Sequence, residues 1–167
     1  DGWRAGNIYM GHFTVTDVSN EKFYFFERFG RDGNGLAGAV ASPFTVWLED
    51  WNIQETGSRK GFDFPSVTLS AIEEGVKLTL NLEPLKNIVL QGESGYSRKG
   101  PEPGNASYYY SVPRFKTTGE IHIGAVKHTV SGDSWLDREW STSALGQNQE
   151  GWDWFSLHLG NGWEFMY

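Results

Sequence analysis

The sequence predicts an all-β fold, an antiparallel meander of about ten short strands, and three observations carry that expectation. Aromatic residues make up 16% of the chain and 21 glycines accompany them, a pairing that suits many strands joined by tight turns. Long helix-period runs rich in Ala, Leu, Glu and Lys are absent. Apolar residues recur instead at every second position over short stretches, with glycine-bearing turn signals between them. At 167 residues the chain reads as a single domain, 1–167, with length enough for a sizeable core.

The elements follow in order. From Asn7 to Thr16 the side chains alternate, with Ile8, Met10, His12 and Thr14 on one face and Tyr9, Phe13 and Val15 on the other. From Glu21 to Phe29, Phe23, Phe25 and Phe29 oppose Tyr24 and Phe26, so this strand is expected to be covered on both sides. Gly30 to Ala41 is rich in Gly and Ala and reads as a flexible connection. It lacks the Lys and the strand-loop-helix context of a phosphate-binding loop. Phe44 to Trp51 reads as one strand with Trp47, Glu49 and Trp51 on one face, and the polar run from Gln54 to Phe64 as a loop. Val67 to Ala71 and Val76 to Leu82 form the clearest hairpin, around a Glu73-Glu74-Gly75 turn.

Asn87 to Gln91 is a short strand, followed by a Gly- and Pro-rich loop from Gly92 to Gly104 that carries Arg98 and Lys99. Loops of that length are lids, binding loops or disordered connections. Three consecutive tyrosines follow, and Phe115 to Ile123 turns at Gly124-Ala125 into Val126 to Val130, where His128 shares a face with Val126 and Val130. Residues 142–151 read as a polar loop. Trp152 to Leu159 reads as a strand with Trp152, Trp154 and His158 on one face and Asp153 in register with Phe155 and Leu157. Gly160-Asn161-Gly162 turns the chain towards Trp163, Phe165 and Tyr167. A meander of this size escapes exposed edges by closing, so the fold class expected is a lipocalin-like antiparallel barrel. The chain starts at Asp1 without a methionine and ends at Tyr167 inside a strand-like run. It therefore reads as a fragment with strands missing at both ends.

Fourteen Lys and Arg stand against 21 Asp and Glu, a formal net charge of −7, which disfavours a nucleic-acid partner because phosphate binding needs a basic footprint. No stretch approaches the roughly 20 apolar residues of a membrane-spanning helix. Cysteine is absent, which removes disulfides and thiolate chemistry without fixing the compartment. Four scattered histidines lack the spacing of a metal site, so no metal and no cofactor is expected.

The stretch from Ser131 to Trp140 departs from plain strand sequence. A Ser-Gly-Asp turn signal precedes Asp137, Arg138 and Glu139, which lie between Trp135 and Trp140. Two readings stand side by side. Rings around three charges lower the local dielectric, so a carboxyl pKa can move. Equally, Arg138 and Glu139 can form a structural ion pair beneath the tryptophans. His128, on an apolar strand face, is read first as a core residue and second as a ligand-facing one.

Tyr108-Tyr109-Tyr110-Ser111-Val112-Pro113-Arg114, Gly119, Val130-Ser131-Gly132, Trp135 to Trp140, Gly151-Trp152-Asp153-Trp154-Phe155 and, upstream, Trp47-Leu48-Glu49-Asp50-Trp51 resemble, in order and spacing, the lipocalin-like family of carotenoid 1,2-hydratases and AttH-type proteins. The resemblance covers the chain from about Tyr9 onward. It implies a two-barrel protein of which this chain is the first barrel, a second lipocalin-like domain as partner, and a periplasmic or secreted location. It further implies Asp137 as an acid that protonates a double bond, with Trp135 beside it and Tyr108 and Tyr110 near the same pocket. The hydratase histidine has no evident counterpart in this segment. Protonating an alkene needs a carboxyl pKa raised from about 4 by two or three units, which an Arg138 facing Asp137 would oppose and Glu139 would relieve.

Two function classes follow. In the first, the barrel binds an elongated apolar small molecule, a lipid or isoprenoid, against Trp47, Tyr108, Tyr110, His128, Asp153, Trp154 and His158. In the second, the domain is an acid-catalysed hydratase, isomerase or cyclase with Asp137, Trp135 and Tyr110 in catalytic roles. A serine hydrolase is the weakest reading, since no Gly-x-Ser-x-Gly elbow occurs and Ser134 or Ser141 would be nucleophile only by default.

Overall fold

The computed structural model describes residues 6–57, 61–141, 145–146 and 149–167. In chain order its strands are β1 (Ile8–Asp17), β2 (Lys22–Arg31), β3 (Ala37–Ala41), β4 (Phe44–Leu48), β5 (Trp51–Glu55), β6 (Val67–Glu73), β7 (Val76–Pro84), β8 (Val89–Leu90), β9 (Tyr96–Arg98), β10 (Ala106–Ile123), β11 (Val126–Ser141), β12 (Ser156–His158) and β13 (Glu164–Met166). A single 3-10 turn at Gly33–Gly35 is the one exception to strand among these elements. The fold is all-β and lipocalin-like, as the alternation and the turn chemistry predict. Among the described residues no helix is long and apolar enough to cross a membrane.

The main hydrogen-bonded path runs β3-β4-β5-β6-β7-β10-β11, with β8 and β9 added beside β10, while β1-β2 and β12-β13 form separate two-stranded sheets. The chain divides into two compact units. Asp1–Ser58, Pro65–Leu82 and Thr117–Ser131 make the first, and Arg59–Phe64, Glu83–Lys116 and Gly132–Tyr167 the second. β10 and β11 each contribute residues to both units.

In the first unit, the β1-β2 hairpin pairs Phe13 with Phe26 and Val15 with Tyr24, and these rings pack on a core of Phe13, Trp51, Ala71, Val76 and Leu78. Phe13 meets Trp51 edge-on at 5.7 Å, a favoured aromatic geometry, and the Trp51 indole N–H donates to the Ile72 carbonyl at 2.9 Å. The Arg28 guanidinium lies 4.5 Å over the Trp51 ring and reaches Glu73 at 2.7 Å, Glu49 at 3.2 Å and Asp50. The other face of the hairpin was expected to be covered, yet Phe23, Phe25 and Phe29 stand exposed on it beside Ile8 and Met10. In a two-stranded sheet alternate residues must take opposite sides, and only one side meets the core here.

Turn chemistry explains most boundaries. Glu74 and Gly75 both have positive φ, 42° and 83°, as the tight turn between β6 and β7 demands. The strand expected over Phe44 to Trp51 is two strands, because Glu49, at φ 56°, turns the chain and pairs Leu48 with Trp51. Trp47 and Trp51 therefore do not share one strand face. The connection expected at Gly30 to Ala41 contains β3, since pairing with β4 overrides its poor intrinsic propensity. Conversely, the strand expected over Trp152 to Leu159 shrinks to β12. The Ser131-Gly132-Asp133 turn is absent, and β11 runs extended through it. The polar loop expected at 142–151 lies in part outside the described residues, which omit 142–144 and 147–148.

The second unit centres on Val112 and Phe115, both fully buried, with Phe64 edge-on to Phe115 at 5.8 Å. β8 and β9 pair with the first half of β10. The β12-β13 hairpin is tied to the unit by Glu164, which accepts from Arg114 Nε at 2.7 Å and from Lys86. Burial pushes the Glu164 carboxyl up, but the Lys86 and Arg114 hydrogen bonds and charges outweigh it and hold the pKa below the ordinary value.

Two outcomes follow from these packings. A Cβ at Gly119 would lie 2.1 Å from the Thr79 carbonyl oxygen and 2.9 Å from Leu80 Cα, backbone atoms that no rotamer change can move. Gly119→Ala should therefore cost about 1–3 kcal/mol, the range for overpacking, read as a lowered urea midpoint. Glu164, with its depressed folded pKa, contributes stability that is present above 4.5, the ordinary glutamate value, and lost as the pH falls through the folded value. Thermal melts from about pH 6 down to about pH 3 should show the midpoint dropping, and Glu164→Gln should flatten part of that drop.

Candidate functional site

The first half of β10 is a strand, so residues two apart share a face. Ser107, Tyr109 and Ser111 are buried, while Tyr108 is exposed and Tyr110 half-buried on the opposite side. On the neighbouring strand β11 the same spacing aligns Trp135, Asp137 and Glu139, and the two triplets meet. Ser111 Oγ donates to Asp137 Oδ1 at 2.5 Å and Trp135 Nε1 donates to the same oxygen at 2.9 Å. Ser107 Oγ donates to Glu139 Oε1 at 2.6 Å. Gln91 Nε2 donates to Ser111 Oγ at 2.9 Å and so orients that hydroxyl.

Tyr109 occupies the centre of this face. Its hydroxyl receives the Trp154 indole N–H at 3.3 Å and donates to Met166 Sδ at 3.3 Å, with the Asp137 carboxylate near enough to act on it electrostatically. Burial pushes the phenol pKa up to about 12; the Trp154 donor opposes the rise and the Asp137 and Glu139 carboxylates add to it. The group is a neutral hydrogen-bond donor across the ordinary pH range. Lys99, from the loop after β9, completes the face with its Nζ 2.6 Å from Glu139 Oε1 and 5.0 Å from the Tyr109 ring. Burial pushes the Glu139 carboxyl up, and the Lys99 and Ser107 hydrogen bonds outweigh it to hold the pKa below the ordinary value.

Beside these groups lies a cavity of about 470 Å³ whose walls include Tyr109, Trp152, Trp154, Met166, Tyr167 and Leu145, with Ser97, Lys99, Glu139 and Asp153 as polar groups. Asp137 is not on its wall. Tyr109 is, and the Asp137 carboxylate lies near its hydroxyl.

The residues singled out from sequence distribute as follows. Trp135, Asp137 and Glu139 come together, and Trp154 and Asp153 line the cavity. His158 reaches the same neighbourhood, its ring 5.8 Å from Trp135 and its Nε2–H donating to the Pro113 carbonyl at 2.7 Å. Tyr108 and Tyr110 do not join: Tyr108 packs against Tyr96 at 6.1 Å and Tyr110 against Trp140 at 5.7 Å, on the face away from Ser111. The Arg138–Glu139 pair expected from adjacency gives way to the same alternation. Glu139 takes Lys99, and Arg138 lies 5.1 Å over the Trp140 ring. Trp47 and His128 belong to the first unit. There Trp47 donates to the Gly35 carbonyl at 2.8 Å and His128 is exposed, as is Val126 on the same face.

Sequence reasoning missed Tyr109, Ser111, Ser107 and Met166. The available signal was spacing, since 107, 109 and 111 repeat the two-residue step of 135, 137 and 139. Among the described residues no group of three His, Asp or Glu side chains is placed to hold a metal ion.

Comparison with known proteins agrees with this geometry at the level of fold and family. The crystal structure of an AttH from Nitrosomonas europaea is similar with a TM-score of 0.82 and 34% identity, over 95% of this chain and 48% of that one. Kievitone hydratase from Nectria haematococca has a TM-score of 0.61 at 14% identity, over 92% of this chain and 48% of that one, a likeness of fold alone. The chain thus spans about half the length of each. Comparison with curated proteins finds no match. The AttH-like family model matches residues 1–167, and the chain belongs to the AttH-like family.

Proposed function

We propose that this chain is a lipocalin-like binding module that takes an elongated, mostly apolar small molecule into the cavity of its second unit. The observation that carries the reading is the cavity itself. Its volume, about 470 Å³, falls in the range of small-molecule sites, about 300–1,000 Å³, and such sites are lined mainly by apolar and aromatic groups with a few polar ones to fix orientation. Trp152, Trp154, Tyr109 and Met166 supply the first and Lys99, Glu139 and Asp153 the second. Met166 adds a flexible, polarisable side chain suited to irregular ligands. A lipid or isoprenoid has the matching shape.

A second reading keeps Asp137 as the proton-handling group of a hydratase, isomerase or cyclase. Its support is the convergence of Ser111 and Trp135 on one carboxylate, together with a fold neighbour that is itself a hydratase. Against it stands the position of Asp137 behind Tyr109. A catalytic acid must come within hydrogen-bond reach of the atom it protonates, and on the cavity wall that place belongs to the phenol.

Native mass spectrometry of the purified protein should show a bound apolar adduct, and Trp154→Ala should weaken that ligand about tenfold through lost aromatic contact. A cavity empty of every apolar ligand offered would end the binding reading. Asp137→Asn separates the two classes. Binding is expected to persist in that variant, while any turnover of an alkene substrate should fall by about 10²–10⁴-fold if the carboxylate moves the proton. Undiminished turnover would remove Asp137 from the chemistry.

A further inference from the structure

The charges around the cavity are lopsided. Its described wall carries one cation, Lys99, against the carboxylates of Glu139 and Asp153, and a third carboxylate, Asp137, lies near the Tyr109 hydroxyl without being on the wall. The one cation is already engaged, with Lys99 Nζ 2.6 Å from Glu139 Oε1. Glu139 is in turn fixed by Ser107 at 2.6 Å, so the carboxylate is held where it answers the ammonium. What remains for a ligand is a set of neutral wall groups that includes the hydroxyls of Ser97 and Tyr109, and the Tyr109 proton points to Met166 Sδ at 3.3 Å, a weak acceptor that a ligand oxygen can replace.

Resting on the binding reading above, we propose that the cavity selects apolar molecules whose polar end is an uncharged oxygen, an alcohol or carbonyl, and rejects fatty-acid-type anions. Tyr109 is the donor to that oxygen, and Glu139 is the specificity residue because it withholds Lys99 from a ligand carboxylate. Like-charge approach to Asp153, Glu139 and Asp137 penalises an anion without touching a neutral ligand of the same shape. The phenol stays protonated near neutral pH and at about pH 8, where a ligand carboxylate is ionised. The chain's net charge of −7 adds a long-range repulsion of the same sign.

Retinol and retinoate make a matched pair, the same isoprenoid skeleton ending in an alcohol or a carboxylate. Tryptophan-fluorescence titration at about pH 8 should give retinol an affinity at least about tenfold higher than retinoate, the scale expected of like-charge rejection. Glu139→Gln should raise retinoate affinity by about tenfold and leave Lys99 free to hold it, while Lys99→Met should widen the preference for retinol. Tyr109→Phe should weaken retinol several-fold. Equal binding of the two retinoids by the unsubstituted protein overturns the proposal, as does a folded Glu139→Gln variant with retinoate affinity unchanged. N-phenyl-1-naphthylamine, an uncharged apolar probe, separates the levels. If it binds while the retinoids are not distinguished, only the selectivity fails; if neither it nor either retinoid binds, the binding reading fails with it.

Discussion

The two-residue period of two long strands is the constraint on which the site depends. β10 spans 18 residues and β11 spans 16, and along each the backbone presents side chains alternately to opposite faces. One choice of phase puts Ser107, Tyr109 and Ser111 against Trp135, Asp137 and Glu139. The opposite phase would bring Tyr108 and Tyr110 to Leu136 and Arg138, an aromatic and cationic surface with no carboxylate. A slip of one residue exchanges these two faces completely. The buried triplet holds the phase, because Ser107 and Ser111 are small enough to bury beside a carboxylate and reach it, which tyrosine at the same positions could not do.

That dependence shows why the fold was more legible than the site. Hairpins such as β6-β7 carry local signals: alternating Val67, Leu69, Ala71 against Val76, Leu78, Leu80, and a Glu74-Gly75 turn whose positive φ angles suit its residues. Nothing local fixes the phase of Tyr108-Tyr109-Tyr110. Three identical side chains in a row are symmetric to any pattern argument, and only their partners on β11 decide which one is buried. The Ser131-Gly132-Asp133 segment misled for the converse reason, since its local turn preference is real but weaker than pairing inside a long strand. Trp47 and Trp51 were joined by a simple count of two-residue steps that overlooked a turn at Glu49. The family resemblance pointed to Asp137 and Trp135, and the structure brings those two into contact through the indole N–H.

Ion pairs in this chain organise backbone more than they advertise chemistry. Arg28 gathers Glu49, Asp50 and Glu73 over Trp51 in the first unit, drawing the β1-β2 hairpin to the turn after β4 and the end of β6. Arg114 and Lys86 do the corresponding work on Glu164 in the second. In the first case the acidic partners come from the β4-β5 turn and from β6, and in the second the basic partners come from β10 and the segment after β7, so the pairing ties together separate chain segments. Partly buried pairs of this kind contribute register and orientation more dependably than net stability, because desolvation offsets much of their attraction. Sequence adjacency is a poor guide to them: Arg138 and Glu139 are neighbours in the chain and point to opposite sides of a strand.

The same distinction clarifies what Tyr109 contributes. A phenol wedged among Asp137, Glu139 and the apolar side chains of Trp154 and Met166 would gain a negative charge in poor solvent beside two others, which is why its pKa rises to about 12. It stays a donor, and a donor is the one hydrogen-bonding role that neither carboxylate can fill while ionised. The cluster thus sets a neutral hydroxyl on a wall that also carries Glu139, with Asp137 off that wall. The nearby Asp137 carboxylate helps to keep the proton on that hydroxyl. Chemistry assigned to Asp137 must therefore bring that carboxylate to a wall on which Tyr109 stands and it does not.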